Sequence, residues 1–390
     1  MRLRTTGCQS SDAAAGIKKV VEDQWTRARG QSGENTGFSS VFLAMKLATY
    51  QDGSRDGQLV VVSRDLTTAH YATGIAYRLQ QVLDDWNFMS PQLQDLSNAL
   101  NQTGHPRARH AFPFDPARCM APLPRAYQWV SGGNFAHDDA PKSRSSGPNG
   151  QQAASAESGQ TMPQLQQGAS DGFSGAQDPI GVSNEVATAA WGVDFNAALA
   201  VVTGDVPMGA SPAQGLDGVR LLMLVNEVSL RHVMAEEAAR GSGTVQGKPG
   251  AAFGPVAVTP DELAVNGNSA WQNGRVHLVV QSTWNGRKVG MLDAGAEMRF
   301  GFGDLIAHVC RTRNLWAGSV IGSGTVRNKD VSRGYSCIFE KRALDMSQSV
   351  QPVTPYMALG DSIRIEVKGK DGASVFGAIS QTVTLAANSR

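Results

Sequence analysis

The run FNAALAVVTGDV, residues 195–206, decides the fold class. Small and β-branched residues follow one another without a charge until Gly204 and Asp205 signal a turn, the pattern of a strand buried on both faces. A second such run, VRLLMLVNEVSL (219–230), comes soon after it. VHLVVQSTWNG (276–286), DSIRIEVKG (361–369) and SVFGAISQTVTL (374–385) repeat the theme, each bounded by Gly, Asn or Asp. Upstream, MKLATY (45–50) and GQLVVVSRD (57–65) read as two strands of a hairpin, with QDGSRDG as the turn region. Between 69 and 104 the spacing becomes helical, with Ile75, Leu79, Val82 and Leu83 followed by Leu93, Leu96 and Leu100. Helices are also expected near 229–240 and 303–313, and a helical start at TPDEL (259–263). The fold class is mixed α/β, mostly β.

Composition narrows the function classes. The chain has 390 residues, with 35 Lys+Arg against 34 Asp+Glu. A charge this close to neutral argues against a binder of nucleic acid or of an anionic membrane. No apolar run approaches the ~18 residues of a membrane span, and Arg2 and Arg4 are followed by no apolar run of a signal peptide. The cysteines, Cys8, Cys119, Cys310 and Cys337, are far apart with no Cys-x-x-Cys pair, so reduced thiols in a cytoplasmic protein are expected. Glycine stands at 43 residues, above the usual share of about 7%. That excess reads as a turn-rich scaffold.

Along the chain, residues 1–44 read as an N-terminal extension open to disorder. Residues 45–118 read as a small N-terminal domain and 119–390 as a larger one. Pro113, Pro116, Pro122 and Pro124 mark an extended connector between them. The polar, Gly/Ser/Gln-rich stretch 131–178 reads as a long lid-like loop. General motif searches add little. There is no phosphate-binding loop, no G-x-G-x-x-G after a strand, no G-x-S-x-G and no H-E-x-x-H. GSGT (322–325) is compatible with an anion-binding turn or with a plain tight turn. His277 and His308 lie on apolar faces and read as core or interface residues.

From 45 onward the chain resembles the fumarylacetoacetate hydrolase family. The resemblance is carried by MAPLPRAYQW (120–129), DFNAALAVVTGDVP (194–207), LLMLVNEVSLR (221–231) and QGKPGAAFGPVAVTPDEL (246–263). FGFGDLIAHVCRTRNLWAGSVIGSGTVRN (300–328), GYSCIFEKR (334–342) and GDSIRIEV (360–367) continue it. It implies a small N-terminal β domain, a larger β roll that carries the active site, and a homodimer. It also implies chemistry on 2-oxo acids or 1,3-dicarbonyl compounds, with Mg²⁺ or Ca²⁺ held by carboxylates.

The residues depart from that pattern where the metal should sit. The implied ligand positions read Ser131, Asn196, Ala198 and Glu227. One carboxylate among them is a poor match for a hard dication, so no cofactor is expected and the family's metal is read as lost. Other implied positions persist. Lys248 stands where a lysine contacts substrate or an oxyanion, and Thr325, beside Gly324, where a threonine holds a carboxylate. Glu340 stands where a glutamate, with a loop histidine here matched by His137, activates water. Arg231 and Tyr127 fall on substrate-facing stretches, with Arg231 available to pair with Glu227. Gln166 replaces a tyrosine of the lid. Plainer readings remain for each: a turn lysine at Lys248, a structural turn at Thr325, an ion pair of Glu340 with Arg342 or Arg231.

The expected function is therefore an enzyme acting on a 2-oxo acid or β-diketone without metal. Lys248 would stabilise an oxyanion, and Glu227, Glu340 or His137 would serve as base. The reaction is open among C–C hydrolysis, tautomerisation, dehydration and cyclisation, in a setting such as natural-product metabolism. The alternative from another class is an inactive homologue that serves as a binding or scaffold protein.

Overall fold

In a computed structural model, which describes residues 43–102, 109–135, 162–264, 270–349 and 351–386, the stretch 195–206 supplies a central strand. Every residue of that strand, Ala197–Thr203, is buried. Its side chains alternate between two cores: Ala197, Leu199 and Val201 enter one, Ala198, Ala200 and Val202 the other. A strand enclosed on both faces has no place for a charge, which is why its sequence is apolar throughout.

The strands, in chain order, are β1 (Lys46–Tyr50), β2 (Gln58–Val62), β3 (Thr68–Tyr71), β4 (Phe112–Pro113), β5 (Trp129–Ser131), β6 (Gln166–Gln167) and β7 (Ile180–Val182). There follow β8 (Val193–Asp194), β9 (Ala197–Thr203), β10 (Val219–Asn226), β11 (Ser229–Leu230), β12 (Ala252–Phe253) and β13 (Ala257–Val258). A small hairpin, β14 (Trp271–Gln272) with β15 (Arg275–Val276), precedes β16 (Val279–Trp284), β17 (Arg287–Asp293), β18 (Val320–Gly322), β19 (Ser362–Lys368) and β20 (Ser374–Leu385). The larger sheet runs β4-β3-β2-β1-β13-β10-β9-β18-β5-β6, with β12 also on β10. The second runs β17-β16-β19-β20-β7. The architecture is mixed α/β and mostly β, as the strand runs predict.

The hairpin expected at 45–65 forms as β1 and β2 in register Leu47↔Val61. Because β1 also pairs with β13, Leu47↔Ala257, the segment 45–118 shares a sheet with the rest of the chain. The helical period expected from 69 begins later. Residues 68–71 pair with β2 as a strand, and helices occupy only α1 (Leu79–Asp84) and α2 (Trp86–Asn101). Sheet pairing of Ala69 between Val62 and Phe112 outweighs the local period. Further on come α3 (Glu185–Trp191), α4 (Pro212–Asp217), α5 (Arg231–Ala239), α6 (Phe302–Val309) and α7 (Ile338–Gln348). No helix among the described residues is long and apolar enough to cross a membrane. Residues 1–42 of the expected extension 1–44, and residues 136–161 of the lid-like stretch 131–178, lie outside the described residues.

Candidate functional site

The strands β9 and β10 pair antiparallel through Val225↔Ala198 and Asn226↔Ala197. One step further the pairing continues as Glu227 N–H donating to Asn196 O at 2.9 Å. Two polar side chains are thus set side by side where the apolar strand ends. The end of β5 arrives from the other side of β9, because β18 lies between them, parallel to β5 and antiparallel to β9. Gly322 permits this approach, since a Cβ there would meet Ser131 Oγ at 2.5 Å and the Trp129 ring at 2.6 Å. Gly324 in the same GSGT turn has φ +74°, and a Cβ on it would fall 1.5 Å from Gly132 O.

These chain ends enclose a pocket of about 170 Å³. Asn196, Glu227, Arg231, Lys248, Thr325 and Arg327 supply its polar wall; Gly132, Gln166, Gly324, Met234, Cys337 and Phe339 are among the rest. On that wall Lys248 Nζ donates to Glu227 Oε1 at 2.6 Å, and Ser131 Oγ donates to Glu227 Oε2 at 3.0 Å. The Lys248 and Glu227 side chains are 9% and 6% exposed, so the pair is largely withdrawn from solvent.

Asn196 is saturated. Its Oδ1 accepts from Arg231 Nη2 at 2.5 Å and from Thr325 Oγ1 at 3.0 Å. Its Nδ2 donates to Glu227 O at 2.8 Å and to Ser229 Oγ at 3.1 Å. Arg231 does not pair with Glu227, contrary to expectation. Its Nε donates to Asp194 Oδ2 at 2.7 Å, and its guanidinium lies 4.9 Å over the Phe339 ring. Pairing of Ser229 in β11 with Asp194 in β8 brings the two charges together. Asp194 in turn accepts the first N–H groups of α7, from Ile338 at 2.7 Å and Phe339 at 3.2 Å.

The loop that delivers Lys248 is held by Glu237 of α5. Its carboxylate accepts N–H bonds from Val245 at 2.9 Å, Gln246 at 2.7 Å and Gly247 at 3.0 Å. Those N–H bonds, led by that of Gln246, hold the Glu237 carboxyl below its ordinary value. Gly247 O accepts from Leu230 N–H at 2.8 Å, so the residue before Lys248 is fixed at both of its backbone groups. No side chain fits there, because a Cβ on Gly247 would lie 2.4 Å from Met234 Cγ.

Other expected site residues fall elsewhere. Glu340 forms an ion pair with Arg327, not with Arg342 or Arg231, and is absent from the pocket wall. Arg342 instead lies 4.5 Å over the Tyr356 ring. Tyr127 is exposed and outside the pocket wall, and Ala198 packs into an apolar core. His137 lies outside the described residues. Arg327 carries no signal in the sequence reading, yet it lines the pocket; burial pushes its pKa down to about 10. Cys337, read from sequence only as one of four isolated cysteines, also lines the pocket. Burial, reinforced by Asp194 and opposed by Arg231 and Arg327, pushes its thiol up to about 12.

The donor set does not fit a hard dication. Magnesium and calcium want six or more oxygen ligands with carboxylates to offset the charge. Here Asn196 is a neutral amide with its polar atoms engaged, Ala198 has no donor, and the Ser131 hydroxyl is spent on Glu227. Glu227 itself already faces an ammonium. Among the described residues no three His, Cys, Asp or Glu side chains gather as a metal-ligand group.

Among curated proteins none matches. Among solved structures, a fumarylacetoacetate hydrolase from Exiguobacterium antarcticum aligns at 20% identity and TM-score 0.58, covering 88% of this chain and 100% of that one. A maleylpyruvate hydrolase from Sphingobium aligns at 16% identity and TM-score 0.56, with 88% and 100% covered. A 5-carboxymethyl-2-hydroxymuconate delta-isomerase from Mycobacterium smegmatis aligns at 16% and TM-score 0.51, with 88% and 99% covered. At these identities the likeness is one of fold. Residues 45–125 match the description Fumarylacetoacetase N-terminal domain 2, and residues 129–384, more than half of the chain, match Fumarylacetoacetate (FAA) hydrolase C-terminal. The chain belongs to the fumarylacetoacetate hydrolase family.

Proposed function

We propose that this protein is an enzyme that enolises a small anionic 2-oxo acid or 1,3-dicarbonyl compound with side chains alone. The observation that carries the reading is the Lys248–Glu227 pair at 2.6 Å on the pocket wall. Enolisation needs a base at the carbon beside the carbonyl and a positive group at the carbonyl oxygen, where charge develops. Glu227 and Lys248 supply both from one place. A preorganised donor of this kind contributes about 10²–10³-fold in rate, and a positioned general base about 10²–10⁴-fold.

The wall favours an anion. Arg231, Lys248 and Arg327 line the pocket, whereas Glu227 is the one carboxylate of the described wall; Asp194 and Glu340, the ion-pair partners of the arginines, are not part of it. The Thr325 hydroxyl and the Gly132–Gly133 backbone add neutral polar groups. Enolisation is the step common to tautomerisation, dehydration, cyclisation and cleavage of such compounds. The Arg327–Glu340 ion pair speaks against Glu340 as the base and leaves that role to Glu227. The homodimer that the resemblance implies and the cytoplasmic setting read from the cysteines remain part of the proposal.

The test is deuterium exchange beside the carbonyl of pyruvate and 2-oxobutyrate in heavy water, followed by proton NMR. Protein-dependent exchange is expected, and Lys248→Ala should reduce it by about 10²-fold or more. Exchange that is absent, or indifferent to Lys248→Ala, would point instead to an inactive homologue that only binds.

A further inference from the structure

We infer that Lys248 is a covalent amine catalyst, condensing with the 2-oxo group of the substrate to form an iminium. The inference rests on the reading of Lys248 and Glu227 as the reacting pair, and it names the electron sink. A pocket whose donors do not fit a dication must draw the electrons of a forming enolate elsewhere. A lysine amine placed in a desolvated pocket forms Schiff bases with carbonyl compounds, and the resulting iminium is such a sink.

Three features equip this lysine for the role. Lys248 is 7% exposed yet lines a cavity of about 170 Å³, so a small carbonyl compound can reach its nitrogen while bulk water is largely kept away. Its hydrogen-bond partner, Glu227 Oε1 at 2.6 Å, is a carboxylate that can take and return a proton. The backbone just before it is clamped by Glu237 and Leu230, and the second oxygen of Glu227 is held by Ser131, so neither partner drifts.

The steps balance. The Lys248 ammonium gives a proton to Glu227, leaving an amine and a carboxylic acid. The amine lone pair forms a C–N bond at the carbonyl carbon while the carbonyl π pair moves to oxygen, and a proton passes from nitrogen to that oxygen. Glu227 protonates the hydroxyl, which departs as water and leaves a C=N⁺–H iminium. The Glu227 carboxylate then removes a proton from the adjacent carbon, and that C–H pair flows toward nitrogen to give an enamine. Reprotonation at carbon and addition of water reverse the linkage and release product. Nothing is oxidised or reduced.

The test uses the whole protein with pyruvate as probe and sodium cyanoborohydride as trap, followed by peptide-resolved mass spectrometry. The expected result is a reduced pyruvyl adduct on Lys248, favoured over every other lysine by about tenfold or more. Lys248→Arg keeps the charge and removes the nucleophile, so this variant, checked by its melting curve, should lose the selective adduct. An even scatter of adducts, or none, overturns the inference because the wild-type protein alone decides it. If deuterium exchange still depends on Lys248 in that case, lysine acts only as an ammonium and the proposed function stands. If exchange is missing as well, both fall.

Discussion

Lys248 Nζ and Glu227 Oε1 are 2.6 Å apart on the lining of one pocket, and they are brought together from two different elements. Glu227 follows the strand β10, whereas Lys248 rides on the loop after α5. Both side chains are less than a tenth exposed. Removing one member of such a pair leaves an uncompensated charge in a poorly hydrated place, at a cost of about 3–5 kcal/mol. Lys248→Met or Glu227→Gln should each lower the unfolding free energy by that order in urea titration. The double variant Lys248→Met/Glu227→Gln should recover most of the loss. Losses that simply add in the double variant would mean that the two charges are not coupled.

Glu237 decides where Lys248 can be. Its three N–H bonds end one residue before the lysine. In Glu237→Gln the amide NH₂ would face N–H groups that need an acceptor, so the loop should loosen locally. An amine-reactive ester, read by peptide mass spectrometry, should then modify Lys248 about tenfold faster, as expected when a buried hydrogen-bond acceptor is lost. Lys46 is the internal control, buried elsewhere with Nζ donating to Val375 O at 2.7 Å; faster labelling there would mean general unfolding instead. The pH dependence has a definite sign. The folded pKa of Glu237 is lowered, so its contribution is complete above the unfolded value of about 4.3. It is lost as pH falls through the lower folded value. Glu237→Gln should flatten that acid limb.

Much of this arrangement was legible in sequence, for a physical reason. The runs that became β1, β2, β9, β10, β16, β19 and β20 are long, apolar and bounded by turn residues. Segments whose structure is set by partners far along the chain were not. The helix α7 buries only Ile338 and Asp345, so no apolar stripe announces it. Arg231 meets Asp194 because β8 and β11 pair, a register that spacing alone does not disclose. The expected Arg231–Glu227 contact fails because each group is taken up by other partners, Arg231 by Asp194 and Asn196, and the Glu227 carboxylate by Lys248 and Ser131. Residues singled out by type in a recognisable stretch, Lys248, Thr325 and Glu227, do meet in one pocket. Arg327 and Cys337 lie in equally recognisable stretches, 300–328 and 334–342, but neither residue type there pointed to a role.

Cys119, Cys310 and Cys337 are free and buried. Burial is the leading cause that raises each of their thiols, in Cys337 to about 12. Reaction proceeds through the thiolate, so these three should resist a disulfide reagent at pH 8 in the native state and react together on unfolding. Cys337 lines the pocket, which makes it the informative member. Fast native reaction there, resolved by peptide mapping, would show that the Arg231 and Arg327 charges dominate its environment after all.

A divalent cation should find no seat beside Glu227. Titration calorimetry with Mg²⁺, Ca²⁺ or Mn²⁺ should show no stoichiometric binding, and a chelator should leave the melting midpoint unchanged. Binding that Glu227→Gln abolishes would overturn the reading of Lys248 as the pocket's cation. The sharper trial restores a carboxylate. In Asn196→Glu the new side chain would meet Arg231, whose Nη2 already donates to the present amide oxygen at 2.5 Å, and its charge would be neutralised on the spot. That single change should therefore create no metal site. A gain should require the Lys248 ammonium to be removed as well, as in Asn196→Glu/Lys248→Met, because only then does Glu227 face the pocket with a charge to spare. Metal affinity in the single variant would show that neither Arg231 nor Lys248 keeps a cation out of the site.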